Sequence, residues 1–122
     1  MKILGIGVDI IENKRIKNLL KDKKFIMRTF GINEIKLANK LKNKSNYFAK
    51  RFVAKEALAK SIGTGFRNDL NLRDVEILND RLGKPYYYKS KKIEKIICKK
   101  FKIKRYKLML SISDEKNYSI AF

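Results

Sequence analysis

Apolar positions along this chain follow two rhythms, and the places where the rhythm changes mark its elements. From Ile3 to Ile11 branched aliphatic residues run almost unbroken, the pattern of a buried strand, with Gly5 and Gly7 letting another backbone approach closely. From Glu12 to about Leu20 the spacing of Ile16, Leu19 and Leu20 changes to that of an amphipathic helix. A second helical segment covers about Phe25 to Phe30 and stops at Gly31; a third starts near Asn33, with Ile35, Leu37 and Leu41 partly in line. The longest helix is predicted over 45–62. Ser45 is placed to cap it, its interior is rich in Ala, Lys, Glu and Leu, and Gly63 is placed to end it.

Leu72 to Leu78 then reads as a strand that leads through the turn-rich Asn79–Gly83 to Pro85, the only proline, with Pro85 to Tyr88 as a short return strand. Lys91 to Phe101 carries Ile93, Ile96 and Ile97 at helical spacing. Tyr106–Ser113 and Tyr118–Phe122, separated by Asp114-Glu115-Lys116-Asn117, have the signature of a β-hairpin. There is no repeat and no linker. The 122 residues therefore predict one α+β domain over 1–122, antiparallel strands packed with helices.

Composition narrows the chemistry. An apolar fraction of 44% supports a real core and argues against a disordered tail. The balance of 31 Lys plus Arg against 12 Asp plus Glu, a net charge of +19, favours acidic or phosphorylated partners. Lys far outnumbers Arg, however, and Ile and Asn are abundant, which is the bias of an AT-rich coding sequence and weakens the charge as a sign of nucleic-acid binding. With no His there is no Ser-His-Asp triad, histidine base or His-ligated zinc. The lone Cys98 excludes an internal disulfide and fits a reducing cytosol. The N-terminal apolar run is too short to span a membrane and has no cleavage pattern, so a cytoplasmic protein without a membrane segment is expected.

Two carboxylates stand where a charge is least expected: Asp9 inside the first apolar run, and Glu56 inside the long helix. If strand and helix pack together, the pair provides oxygen ligands for a hard cation such as Mg²⁺, which takes one or two carboxylates and completes its shell with phosphates and water. The competing reading has Asp9 capping a turn and Glu56 pairing with Lys60 four residues on. Gly63-Thr64-Gly65 offers backbone N–H groups and a hydroxyl to a phosphate, or is simply a helix C-cap. No dinucleotide fingerprint or Walker pattern is complete. Arg51, Lys55 and Lys60 flank Glu56 on the same helix and either neutralise a polyphosphate or form a solvated face. Among Tyr86, Tyr87 and Tyr88, alternate positions divide between core and surface unless they stack a base.

The order of these segments is more specific than any one of them. Gly5-Ile6-Gly7-Val8-Asp9-Ile10-Ile11-Glu12 is followed by Arg15-Ile16, then by Phe48-Ala49-Lys50-Arg51-Phe52-Val53-Ala54-Lys55-Glu56-Ala57 and Lys60-Ser61-Ile62-Gly63-Thr64-Gly65. Asn79-Asp80-Arg81-Leu82-Gly83-Lys84-Pro85 comes next, and Ser111-Ile112-Ser113-Asp114-Glu115 with Tyr118 closes the series. From Leu4 onward the chain resembles the holo-acyl-carrier-protein synthase family, the small bacterial 4′-phosphopantetheinyl transferases. The resemblance implies that family's fold and a Mg²⁺-dependent transfer of 4′-phosphopantetheine from coenzyme A to a serine of apo-acyl carrier protein, releasing adenosine 3′,5′-bisphosphate in the service of fatty acid biosynthesis. It implies Asp9 and Glu56 as metal ligands and, with Lys60, as the catalytic group. Coenzyme A contacts fall on Arg51, Lys60, Gly63, Thr64, Gly65 and the Gly83-Lys84-Pro85 segment, and carrier-docking positions on Arg15 and Arg28. A homotrimer with sites at subunit interfaces also follows from the resemblance.

The chain departs from that family's pattern in one respect. Members commonly carry a His two residues before the serine matching Ser111, where this chain has Met109, and some carry a second at the position of Asp114. A histidine base is thereby excluded, and the serine proton passes to a water on the metal or, through water, to Glu56. Two other readings remain on sequence grounds. One is a small basic RNA-binding module, although the charge is spread over the chain and no RNA-binding motif is visible. The other is a silent family member that only binds coenzyme A.

Overall fold

The computed structural model describes residues 1–63 and 70–122. Its central element is a 19-residue helix, Lys44–Ile62. Three shorter helices precede it: α1 (Asn13–Leu19), α2 (Lys23–Thr29) and α3 (Ile32–Ala38); the long helix is therefore α4. Small residues let neighbours close on α4 from several directions, and Ala49, Ala54, Ala57 and Ala59 are all buried beside Phe48, Val53 and Leu58. Its start is capped by Asn43, whose side chain accepts from the Asn46 N–H, and not by Ser45, whose hydroxyl donates to Asn43. Gly63 ends it as expected, in a left-handed conformation (φ +84°) that glycine adopts without strain.

One face of α4 is covered by an antiparallel sheet in the order β1–β5–β4, formed by Asp9–Glu12 (β1), Ile112–Asp114 (β4) and Tyr118–Ala121 (β5). Ile10 lies opposite Ile120 and Asp9 opposite Ala121, and mutual backbone bonds between Ser111 and Phe122 extend the β4–β5 ladder. Asn13 locks this sheet to α1. Its side-chain amide donates to the carbonyls of Glu115 and Lys116 in the hairpin turn, and it accepts from the buried Ser119 hydroxyl. A separate two-stranded hairpin, β2 (Ile77–Asn79) with β3 (Pro85–Tyr87), is pinned to α4 by the Tyr87 hydroxyl, which donates to the Ala54 carbonyl at 2.6 Å. Helix α5 (Lys91–Phe101) has the bounds the sequence predicts; Ser90 caps it, and Ile93 and Ile97 bury its inner edge.

Three strand expectations change, the first in the closing hairpin, where only Ile112–Asp114 at the end of the run Tyr106–Ser113 is strand. The run Ile3–Ile11 is not a buried strand: only Asp9 onward pairs, while Ile6, Val8 and Ile10 face outward and are exposed. Its other side lies on α4, so a one-sided strand with an apolar outer face looks like a two-sided core strand in sequence. Leu72–Leu78 is not one strand either. Leu72–Asp74 forms a 3-10 turn, closed by an Asp74 carboxylate that accepts from the Asn71 N–H, and pairing starts only at Ile77. Of the three tyrosines, Tyr87 is buried while Tyr86 and Tyr88 are exposed, the alternation a strand imposes. Among the described residues no helix is long and apolar enough to cross a membrane.

Candidate active site

The site is built on the contact between the N-terminal segment and α4. A Cβ at Gly7 would collide with the Ala57 carbonyl, and one at Gly5 with the Ser61 carbonyl. Only glycine permits this approach, and it sets the register that carries Asp9 to the side of α4. There the Lys60 ammonium donates to Asp9 Oδ1 at 2.9 Å and to the Val8 carbonyl at 3.0 Å. Lys60 remains 55% exposed while Asp9 is only 18% exposed, so the pair sits at a rim.

Glu56 lies one turn before Lys60 on the same face of α4. Burial raises the pKa of its carboxyl above the usual range and the nearby Asp9 charge raises it further, while Lys60 and Arg15 oppose the shift. Asp9, Glu56, Lys60 and the α1 residue Arg15 thus form one electrostatic cluster, assembled from three elements. The competing sequence reading is not realised, because Lys60 pairs with Asp9 across the strand–helix contact. Two carboxylates of like charge on adjoining elements, one of them partly buried, are oxygen donors that suit a hard divalent cation. Among the described residues no third acidic, Cys or His side chain joins them. Such a cation would therefore draw its other ligands from water and substrate.

The other predicted positions are spread more widely. Gly63 ends α4, one turn beyond Lys60, while Thr64 and Gly65 lie outside the described residues. Arg51 is buried, donating to Asn79 Oδ1, with its guanidinium 3.8 Å from the centre of the Tyr47 ring. Lys84 and Pro85 belong to the β2–β3 hairpin, whose turn is shaped by Asp80 accepting from the N–H groups of Leu82 and Lys84. Arg15 is exposed on α1 and Arg28 on α2. A groove runs between α1, α2 and the start of α4, rimmed by Lys17, Lys21, Lys42 and Lys44 over Leu20, Ile26 and Phe48.

Sequence reasoning placed Lys55 with the residues that face a polyphosphate, but the structure buries it completely. Its ammonium lies 2.6 Å from Glu34 Oε1 and also donates to the carbonyls of Leu72 and Val75. Glu34 is equally buried and accepts from the N–H groups of Gly31 and Ile77. This pair ties α3, α4 and the approach to β2 together, immediately behind Glu56. Nothing in the local pattern of so lysine-rich a chain separates Lys55 from its solvated neighbours.

Residues 5–122 match the model of the 4′-phosphopantetheinyl transferase superfamily. The chain is 56% identical over 122 residues to a holo-[acyl-carrier-protein] synthase of Pelagibacter ubique, covering 100% of this chain and 95% of that protein. In structure it is similar to the holo-[acyl-carrier-protein] synthase of Neisseria meningitidis, with a TM-score of 0.88 and 37% identity over 98% of this chain and 95% of that one. The enzyme of that name from Bacillus anthracis, solved in complex with CoA (3′,5′-ADP), superposes with a TM-score of 0.81 at 37% identity, covering 98% and 92% of the two chains.

Proposed function

This chain belongs to the 4′-phosphopantetheinyl transferase superfamily and to its holo-[acyl-carrier-protein] synthases, and on that premise we propose that it moves 4′-phosphopantetheine from coenzyme A to a serine of an apo-acyl carrier protein. The reading rests above all on the convergence of Asp9 from β1 and Glu56 from α4, with Lys60 beside both. The two carboxylates fit Mg²⁺, which when bound supplies Lewis-acid polarisation of the pyrophosphate. Transfer of a phosphoryl group between two oxygens needs positioning and charge neutralisation more than covalent help. Lys60 is proposed to neutralise the diphosphate, and the Arg15 charge acts on Glu56 beside it. Gly63, Thr64, Gly65 and the Lys84-Pro85 hairpin are proposed to contact the rest of coenzyme A, and Arg51 to act from behind by holding that hairpin through Asn79. With no His in the chain, the serine proton goes to water or, through water, to Glu56.

Arg15 and Arg28 with the lysine-rimmed groove give the α1–α2 face the charge that an acidic carrier protein needs, steering encounter and making it salt-sensitive. The reading places the protein in the cytoplasm, in fatty acid biosynthesis. The test is direct. Purified protein incubated with coenzyme A, Mg²⁺ and an apo-carrier should add one phosphopantetheine group to the carrier's mass, and chelation of the metal should stop it. A carrier of unchanged mass with every component present would refute the proposal.

A homotrimer is part of the same proposal, and the outer face of the β1–β5–β4 sheet supports it. Val8, Ile10, Tyr118, Ile120 and Phe122 share that face, with Ile10 61% and Phe122 60% exposed. A contiguous apolar face of this kind is seldom left in water. Ile10→Glu should convert the trimer to monomers in sedimentation and remove most of the transfer rate, because a neighbour is proposed to complete each pocket.

A further inference from the structure

Lys60 is paired with one oxygen of the carboxylate proposed to hold the metal. Its ammonium has three donors, of which one goes to Asp9 Oδ1 and one to the Val8 carbonyl. A divalent cation bound to Asp9 takes lone pairs on the same carboxylate, against the repulsion of a fixed positive charge a few ångströms away. The charges make the conflict clear. Asp9 and Glu56 carry two negative charges, Lys60 and Arg15 carry two positive ones, and the cluster is balanced before any metal enters. Adding a divalent cation leaves it two charges in excess, which only an anionic ligand offsets.

We propose that Lys60 competes with the divalent cation for Asp9, and that this competition makes the metal and a diphosphate-bearing ligand bind as a coupled pair. The lysine stem is long, flexible and more than half exposed, so the ammonium is free to leave Asp9 without disturbing α4. Once displaced by metal it is an unpaired cation beside the site, available to the phosphates. Metal therefore tightens the binding of the diphosphate, and by linkage the diphosphate tightens the binding of metal to the same degree. Either one alone binds weakly. The inference rests on the reading that Asp9 and Glu56 hold the metal, and the experiment separates the two.

Mn²⁺ is titrated into the purified protein without coenzyme A, and free Mn²⁺ is followed by electron paramagnetic resonance. Lys60→Met and Lys60→Gln should each bind Mn²⁺ about three- to tenfold more tightly than the unsubstituted chain, since one opposing charge and one competing donor are gone. Saturating coenzyme A should then improve Mn²⁺ affinity less in these variants than in the unsubstituted chain. If both variants bind Mn²⁺ no better, while Asp9→Asn removes binding, the competition is refuted and the metal assignment stands. If Asp9→Asn leaves Mn²⁺ binding unchanged, the metal assignment fails and the competition fails with it.

Discussion

Asp9→Ala or Glu56→Ala should lower phosphopantetheine transfer by about a hundred- to a thousandfold or more, the scale at which loss of one preorganised electrostatic group is felt in a transfer site. The substitutions should not unfold the protein, because neither carboxylate holds the core together. Among the described residues the Asp9 carboxylate is tied to Lys60 alone, and a rim ion pair of this exposure contributes little to stability. For Glu56 the sign can be worked out. Its pKa is raised in the folded protein, first by burial and then by Asp9, so the folded state binds the proton more tightly than the unfolded state does. Its ionised form thus disfavours folding, a penalty present at neutral pH and relieved as pH falls. Glu56→Ala removes that penalty and should leave Tm unchanged or slightly higher. Carrier mass measured beside thermal melts checks both halves; near-normal turnover in either variant would contradict the assignment.

The largest effect on stability is expected one residue away. Lys55→Met should cost about 3–5 kcal/mol, as removal of one partner from a buried ion pair does. Burial pulls the Lys55 pKa down while Glu34 pushes it back up, so the ammonium is kept charged in the interior chiefly by that carboxylate. Replacing it leaves Glu34 buried without its partner, and takes the ammonium donor from the Val75 carbonyl and one of two donors from the Leu72 carbonyl. Glu34→Gln/Lys55→Met should be less damaging than the sum of the single changes, since the second removes a group already without its partner. Urea unfolding at fixed protein concentration measures this, and a Lys55→Met variant as stable as the parent would remove the pair from the account of the fold.

Much of the architecture was legible because it depends on local signals. Ser90 and the Ile93–Ile97 spacing specify α5, Gly63 specifies the end of α4, and Glu115–Asn117 specify the hairpin turn, Asp114 being the last residue of β4. Pairing and burial depend on distant parts of the chain and were read less well. Gly5 and Gly7 announce that something comes close, but no local rule says that it is the backbone of Ala57 and Ser61. For that reason the meeting of Asp9 and Glu56 stays one of two alternatives in the residues themselves, and it is the family resemblance that favours it. Lys55 and Lys60 show the limit most sharply. They share a helix and a residue type, yet one is wholly buried and the other lies at the rim beside Asp9.

The strand that carries Asp9 pairs, among the described residues, with Tyr118–Ala121 alone, and Asn13 reaches its hairpin partner Glu115 across 102 positions. Closing so long a loop is entropically slow, so the helices are expected to gather first and the sheet to complete the molecule last. On the ribosome, the strand bearing Asp9 waits unpaired until Tyr118–Ala121 has cleared the exit tunnel. A nascent chain therefore has no working centre until those residues emerge, and during that interval its unprotected edge is the part most exposed to chaperones and to misassembly.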